Sequence, residues 1–238
     1  MQTQKKNVTE FNQDVKLNEG YRYTTNAPFS SIVANKRITE AILKYIPKHA
    51  KTIIDIGCGD GIYTNDLKSE LTDRQFTGFD PASEAINIAV KKYENIDFII
   101  GDLLNKETFP NKLFDVGIIR GVLHHLPNAQ LGIANSAYLS DSIIIIEPNG
   151  NNPILKYIER TSKYHIEHEE QSFKSSDLKN WCEISGFEVN KIEFIGFVPF
   201  FFPTILSRII YFFQPILEKI PLLGKYFGAQ VVLFCKKK

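Results

Sequence analysis

Residues 52–67 read TIIDIGCGDGIYTNDL, an apolar run that ends in three glycines within five positions and resumes as a helical pattern. Glycine weakens helix and strand interiors alike, so Gly57, Gly59 and Gly61 belong to a turn with special backbone demands. The run before them has the content of a buried strand, and residues 62–70 fit the helix that follows. The same alternation continues along the chain. QFTGFD reads as a strand ending at Asp80, and Pro81 suits the first turn of a helix, SEAINIAVKKY, with Ala85, Ile86, Ile88 and Ala89 on its apolar side. IDFIIGD ends a third strand at Asp102, and FDVGIIRG forms a fourth over 114–121. A helix over roughly 128–139 leads to a fifth strand, SIIIIE, and NNP at 151–153 reads as a turn. After a longer connection comes the helix SDLKNWCEISG, with Ser176 as its N-cap and Gly186 as its stop. FEVNKIEFIGF and AQVVLFC then supply the last two strands.

Strands alternating with helices imply an α/β fold, Rossmann-like, with a seven-stranded, mostly parallel sheet covered on both faces and its last strand antiparallel. At 238 residues the chain fits one such domain with elaborations. Residues 1–50 form a candidate N-terminal helical cap, and 51–238 the main domain with a hydrophobic insert at 197–228. The 28 Lys+Arg against 27 Asp+Glu give no global reason to expect a nucleic-acid partner. Cys58, Cys182 and Cys235 are odd in number and show no paired metal spacing, which favours reduced thiols and a cytoplasmic setting. The opening MQTQKKNVTEFNQD carries no apolar signal core.

In open α/β sheets ligands bind beyond the carboxyl ends of the strands. Glycines at a strand-to-helix turn let the backbone approach such a ligand closely. Asp80 follows Gly59 by 21 residues, at the end of the next strand, where a carboxylate accepts both hydroxyls of a ribose. A nucleoside-containing cofactor is therefore expected. A dinucleotide site calls for G-x-G-x-x-G, whereas this loop reads G-C-G-D-G with Asp55 two residues ahead of it. Carboxylates so close to the loop gain nothing from a pyrophosphate but suit a cationic sulfonium and ammonium.

The pattern D-x-G-x-G-x-G, followed in order by GFD, GD and VLHHLPN, resembles the class I S-adenosylmethionine-dependent methyltransferases, strongly over 51–150 and loosely over 170–238. The resemblance implies S-adenosylmethionine as cofactor and S-adenosylhomocysteine as product. It places Asp55, Gly57, Cys58, Gly59 and Gly61 around the methionine end, Asp80 at the ribose with Pro81 beside it, and Asp102 with Leu103 at the adenine. The backbone carbonyl of Arg120 would receive the cofactor's amino group. A nicotinamide-dependent dehydrogenase and an aminopropyl transferase match the loop spacing and the VLHHLPN station less well.

Methyl transfer from this cofactor depends mainly on alignment, and a base is needed only where the acceptor must lose a proton. His124 and His125 follow the fourth strand, either serving as base or orienting the acceptor, and Glu147 either lines the acceptor pocket or caps the next turn. YHIEHEE places His165 and His168 three apart, but no third ligand is fixed by spacing, so a polar surface or an acceptor-side loop is the expectation and a metal is not. Tyr21, Tyr23 and Asn26 are candidate lid residues that would touch the acceptor. Within the insert, Phe201 and Phe202 are expected to face a hydrophobic or lipid-like acceptor. Pro199, Pro203 and Arg208 argue against a membrane span there. A dimer surface and contact with a membrane surface, the inner face included, also stay open, with Lys219, Lys225 and the tail Lys236–Lys238 able to meet anionic headgroups. Two functions compete: an enzyme methylating a small acceptor, and a silent module that kept the pocket and acts by association. The intact set of Asp55, the glycines, Asp80 and Asp102 favours the enzyme. Neither the acceptor nor the oligomeric state is legible.

Overall fold

The computed structural model describes residues 27–162, 171–200 and 202–238, together with Thr9 and Asn12. Seven strands form one sheet in the order β3-β2-β1-β4-β5-β7-β6. They are β1 (Thr52–Ile56), β2 (Gln75–Asp80), β3 (Asp97–Ile100), β4 (Phe114–Arg120), β5 (Ser140–Pro148), β6 (Phe187–Ile195) and β7 (Gln230–Lys237). All neighbours run parallel except β7, which is antiparallel to both β5 and β6.

The helices of the described residues are α1 (Phe29–Tyr45), α2 (Ile62–Glu70), α3 (Ser83–Lys92), α4 (Ala129–Ser136), α5 (Pro153–Thr161), α6 (Ser175–Ile184), α7 (Thr204–Leu217) and α8 (Pro221–Phe227). They cover the sheet on both faces because successive strand residues point to opposite sides and both sides are apolar. Ile54, Ile56, Ile143 and Ile145 pack with Ile133, Leu178 and Cys182 from α4 and α6. Ile53, Ile144 and Ile146 pack on the other side with Ile38, Ala41 and Ile42 of α1 and Leu67 of α2. Thus α1 is a layer of this core, whatever the residues before it do.

Several boundaries differ from expectation. Ser176 is not the N-cap of α6; Lys174 is, and Asn151 Oδ1 accepts the Ser175 N–H at 2.9 Å from 24 residues away. Gly186 does end that helix region, at φ +87°. Pro81 lies outside α3, whose N-cap is Ala82. NNP is more than a turn, since Asn152 caps α5 by accepting from Ile154 N and Leu155 N, with Pro153 at the first helical position. β5 runs on past Glu147 to Pro148, so Glu147 is a strand residue and not part of the next turn.

Candidate active site

The strand order reverses between β1 and β4, so the loops after these strands face each other at the carboxyl rim. The three glycines of the first loop all adopt left-handed backbone, with φ of +80°, +56° and +76° at Gly57, Gly59 and Gly61. Side chains disfavour that region, which explains the cluster. Gly57 has a second reason: a Cβ there would lie 2.3 Å from Val122 Cγ2, in the loop after β4. The two loops therefore touch because one of them lacks a side chain.

The end of β2 clamps the glycine loop. Gly57 N donates to Phe79 O at 2.7 Å, and Gly59 N donates to Asp80 Oδ2 at 2.9 Å. The other oxygen, Asp80 Oδ1, accepts from Ala82 N at 2.8 Å. Burial pushes this carboxyl up to about 6; the two N–H donors pull it down, while Asp55 and Asp60 nearby add to the rise. Each oxygen keeps a second lone pair for a further donor such as a ribose hydroxyl.

Asp55, Asp60 and Asp80 are all buried around this loop. Asp55 accepts the Thr64 hydroxyl at 2.5 Å, and burial raises its proton affinity against that bond and the nearby Arg120. Burial likewise pushes the Cys58 thiol far up, with Asp80 and Asp55 adding to the effect, so it is no thiolate. Such a set of buried carboxyl groups fits a cationic sulfonium and ammonium and disfavours a pyrophosphate. At the next station, Asp102 Oδ1 accepts from Leu104 N at 2.8 Å, and Leu103 is buried with its carbonyl taking Asn135 Nδ2 at 2.8 Å.

Arg120 does more than end β4. Its guanidinium lies 3.9 Å over the Tyr63 ring and donates to Asn35 Oδ1 at 2.7 Å, tying α1 to the start of α2. Tyr63, Thr64, Asn35 and Val122 are site neighbours that sequence reading passed over. Thr64 was the findable one, since it follows the glycine loop on the first turn of α2.

Beyond β4, His124 Nδ1 and Glu147 Oε2 are 2.7 Å apart. Glu147 is fully buried, and its Oε1 accepts the Val122 and Leu123 N–H groups at 2.9 and 2.7 Å. Glu147 already accepts two backbone N–H groups on Oε1, and a further donor on Oε2 corresponds to the His124 tautomer with the proton on Nδ1 and the acceptor lone pair on Nε2. The His125 ring centroid is 3.9 Å from that of His124. Both histidines line a cleft of about 440 Å³ with Asn128, Gln130, Phe173 and Trp181. The insert starts after β6 and returns at Gln230, which pairs with Pro148, beside Glu147 on the same rim. Phe202 is half-buried there, whereas Phe201, Tyr21, Tyr23, Asn26, His165 and His168 lie outside the described residues.

Residues 53–138 match the model of a methyltransferase domain. Protein 235L of Invertebrate iridescent virus 6, named as a methyltransferase, is 36% identical over 80 residues, covering 34% of this chain and 29% of that one. The ubiquinone biosynthesis O-methyltransferase of Photobacterium profundum is 26% identical over 118 residues, covering 46% of this chain and 47% of that one. The matched stretch thus spans less than half of these relatives. An S-adenosylmethionine-dependent methyltransferase of Thermotoga maritima superposes with a TM-score of 0.66 at 17% identity, covering 96% of this chain and 98% of that one. The plantazolicin methyltransferase BpumL, solved with S-adenosylhomocysteine, gives 0.60 at 19% identity, covering 98% and 99%. Residues 53–138 thus match a methyltransferase domain, and the chain shares the fold of S-adenosylmethionine-dependent methyltransferases.

Proposed function

We propose that this chain transfers the methyl group of S-adenosylmethionine to a small acceptor seated in the cleft beside His124. One observation carries the reading: the clamped glycine loop with its buried carboxylates and the His124–Glu147 pair meet at one switch point of the sheet. Asp55 and the loop Gly57–Gly61, with Cys58 within it, would hold the methionine end. Asp80 and the adjoining Pro81 would meet the ribose, Asp102 and Leu103 the adenine, and the Arg120 carbonyl the amino group. When bound, this cofactor supplies an electrophilic methyl group on a sulfonium that departs as a thioether.

The protein's own task is then to orient the acceptor and to move one proton. His124 Nε2 takes the acceptor's proton while Glu147 holds Nδ1–H and stabilises the imidazolium that forms. Two backbone N–H bonds fix Glu147, so the imidazole keeps one orientation. Phe173 and Trp181, packed edge to face at 5.1 Å, give the cleft flat apolar walls suited to a hydrophobic acceptor. Names of relatives that refer to ubiquinone biosynthesis and plantazolicin support a small-molecule acceptor. Tyr21, Tyr23, Asn26, Phe201 and Phe202 are retained as acceptor-side candidates.

Host extracts incubated with the protein and methyl-deuterated S-adenosylmethionine should yield a labelled small product together with S-adenosylhomocysteine. Absence of both, from a protein that binds S-adenosylhomocysteine, would overturn the catalytic reading.

A further inference from the structure

Helix α7 is inside out. Its buried residues are Ser207 and Gln214, and Glu218 follows directly on the same inward side. Gln214 Oε1 accepts the Phe197 N–H at 3.0 Å. Glu218 receives Arg37 Nε of α1 at 3.0 Å on both oxygens and also the Gly196 N–H at 2.9 Å. The fully buried positions are thus polar and already partnered, while Ile210, Tyr211 and Leu217 are half-buried, Tyr211 lying edge-on to Phe29 of α1 at 6.2 Å.

The outward stripe is apolar. Ile205, Ile209, Phe212, Phe213 and Ile216 recur at helical spacing and are all exposed, Ile205 by 78% and Phe212 by 76%. Leu222, Tyr226 and Phe227 of α8 are exposed as well. A globular helix normally presents the opposite pattern, and apolar surface on this scale marks a partner.

Charge identifies the chemistry of that partner. Between residues 197 and 228 the charged residues are Arg208, Glu218, Lys219 and Lys225. Glu218, the one carboxylate of this stretch, is taken up by Arg37. The charges left on the insert are therefore all positive. A second copy docked face to face would set like cations against one another. Among the described residues no helix is long and apolar enough to cross a membrane. An apolar stripe flanked by cations instead fits an in-plane position at anionic lipid headgroups.

We propose that α7 and α8 dock this chain onto the surface of an anionic phospholipid bilayer, with Ile205, Ile209, Phe212 and Ile216 entering the acyl boundary and Arg208, Lys219 and Lys225 at the phosphates. The insert leaves and rejoins the sheet at the rim that carries Glu147.

Co-sedimentation with phosphatidylcholine vesicles, with and without phosphatidylglycerol, tests this. The chain should bind vesicles containing phosphatidylglycerol, and less at high salt. The double variant I209S/F212S should lose about tenfold or more in partitioning, since two exposed apolar side chains no longer enter lipid. R208E/K219E should lose roughly fivefold or more, through the anionic component alone. Both variants alter exposed side chains, and both should keep the melting temperature and the S-adenosylhomocysteine affinity of the parent. No vesicle binding by the parent, binding unchanged in both variants, or a parental dimer that I209S/F212S converts to monomer would each overturn the proposal. Loss of S-adenosylhomocysteine binding in the parent would bear on the cofactor alone.

Discussion

Glu147 Oε2 lies 2.7 Å from His124 Nδ1, joining two residues 23 apart in sequence across the β4–β5 pair. The carboxylate is fully buried, and its other oxygen is held by two backbone N–H groups of the loop that carries the histidine. Strand, loop and imidazole are thereby locked together.

If His124 is the base, His124→Gln should lower turnover by roughly 10² to 10⁴ and flatten the pH profile near neutrality. S-adenosylhomocysteine affinity should stay unchanged. Glu147→Gln should reproduce much of this kinetic loss, and should also cost about 1–3 kcal/mol of stability because a buried N–H loses its carboxylate. His125→Gln, which leaves the pair intact, should change turnover by less than His124→Gln. Equal small effects from both histidine variants would reduce them to wall residues.

Asp80 ties cofactor binding to pH. Its carboxyl titrates at about 6 in the folded chain against 3.8 ordinarily, so protonation favours folding. That stabilising contribution is fully present below about pH 4 and is lost as pH rises through about 6. Ribose hydroxyls need the ionised form as acceptor, so S-adenosylhomocysteine affinity should fall as pH drops through about 6. Asp80→Ala should weaken binding by about 1.5–3 kcal/mol and remove this pH dependence. Calorimetric titrations between acid and neutral pH, with the melting curve followed in parallel, measure both effects.

Gly57 and Gly186 separate two costs of a side chain. Both have positive φ, +80° and +87°. A Cβ at Gly186 meets nothing within 4 Å, whereas at Gly57 it would lie 2.3 Å from Val122 Cγ2. Gly186→Ala should cost about 1–2 kcal/mol for the backbone alone. Gly57→Ala should cost more, and Val122→Ala in the same chain should recover part of the excess. Chemical denaturation of Gly57→Ala, Val122→Ala and the double variant closes that cycle, with Gly186→Ala measured beside it; equal costs at the two glycines would mean the loops do not touch.

Much of this architecture was legible because its signals are local. Glycines at positive φ, strands ending in Asp80 and a tetra-isoleucine strand each leave their mark on neighbouring residues. What escaped depends on partners distant in sequence. The start of α6 is set by Asn151, not by its own serines. Asp80 was assigned to a ligand, yet it also staples the glycine loop. Arg120 was expected to act through its carbonyl, while its guanidinium bridges α1 and Tyr63. Helix α5, by contrast, is announced locally, by Asn152 as cap and Pro153 at its first position, although NNP alone reads as a turn. The apolar stripe of α7 was visible as composition, but its outward orientation follows from Arg37 and Gly196 capturing Glu218.

That capture should be measurable. Glu218→Ala removes the acceptor of a largely buried guanidinium and of a backbone N–H, and should cost about 2–4 kcal/mol. Proteolysis should then cut first within 197–228 while S-adenosylhomocysteine affinity holds. Cutting at the parental rate would show that the insert is held by other contacts.

The most direct measurement of the central claim is calorimetric titration of the folded chain with S-adenosylhomocysteine and, separately, with NAD. One saturable site for S-adenosylhomocysteine, weakened by Asp80→Ala, with no heat from NAD is the predicted result. Binding of NAD instead, or no S-adenosylhomocysteine binding by a chain whose melting curve shows it folded, would contradict the account.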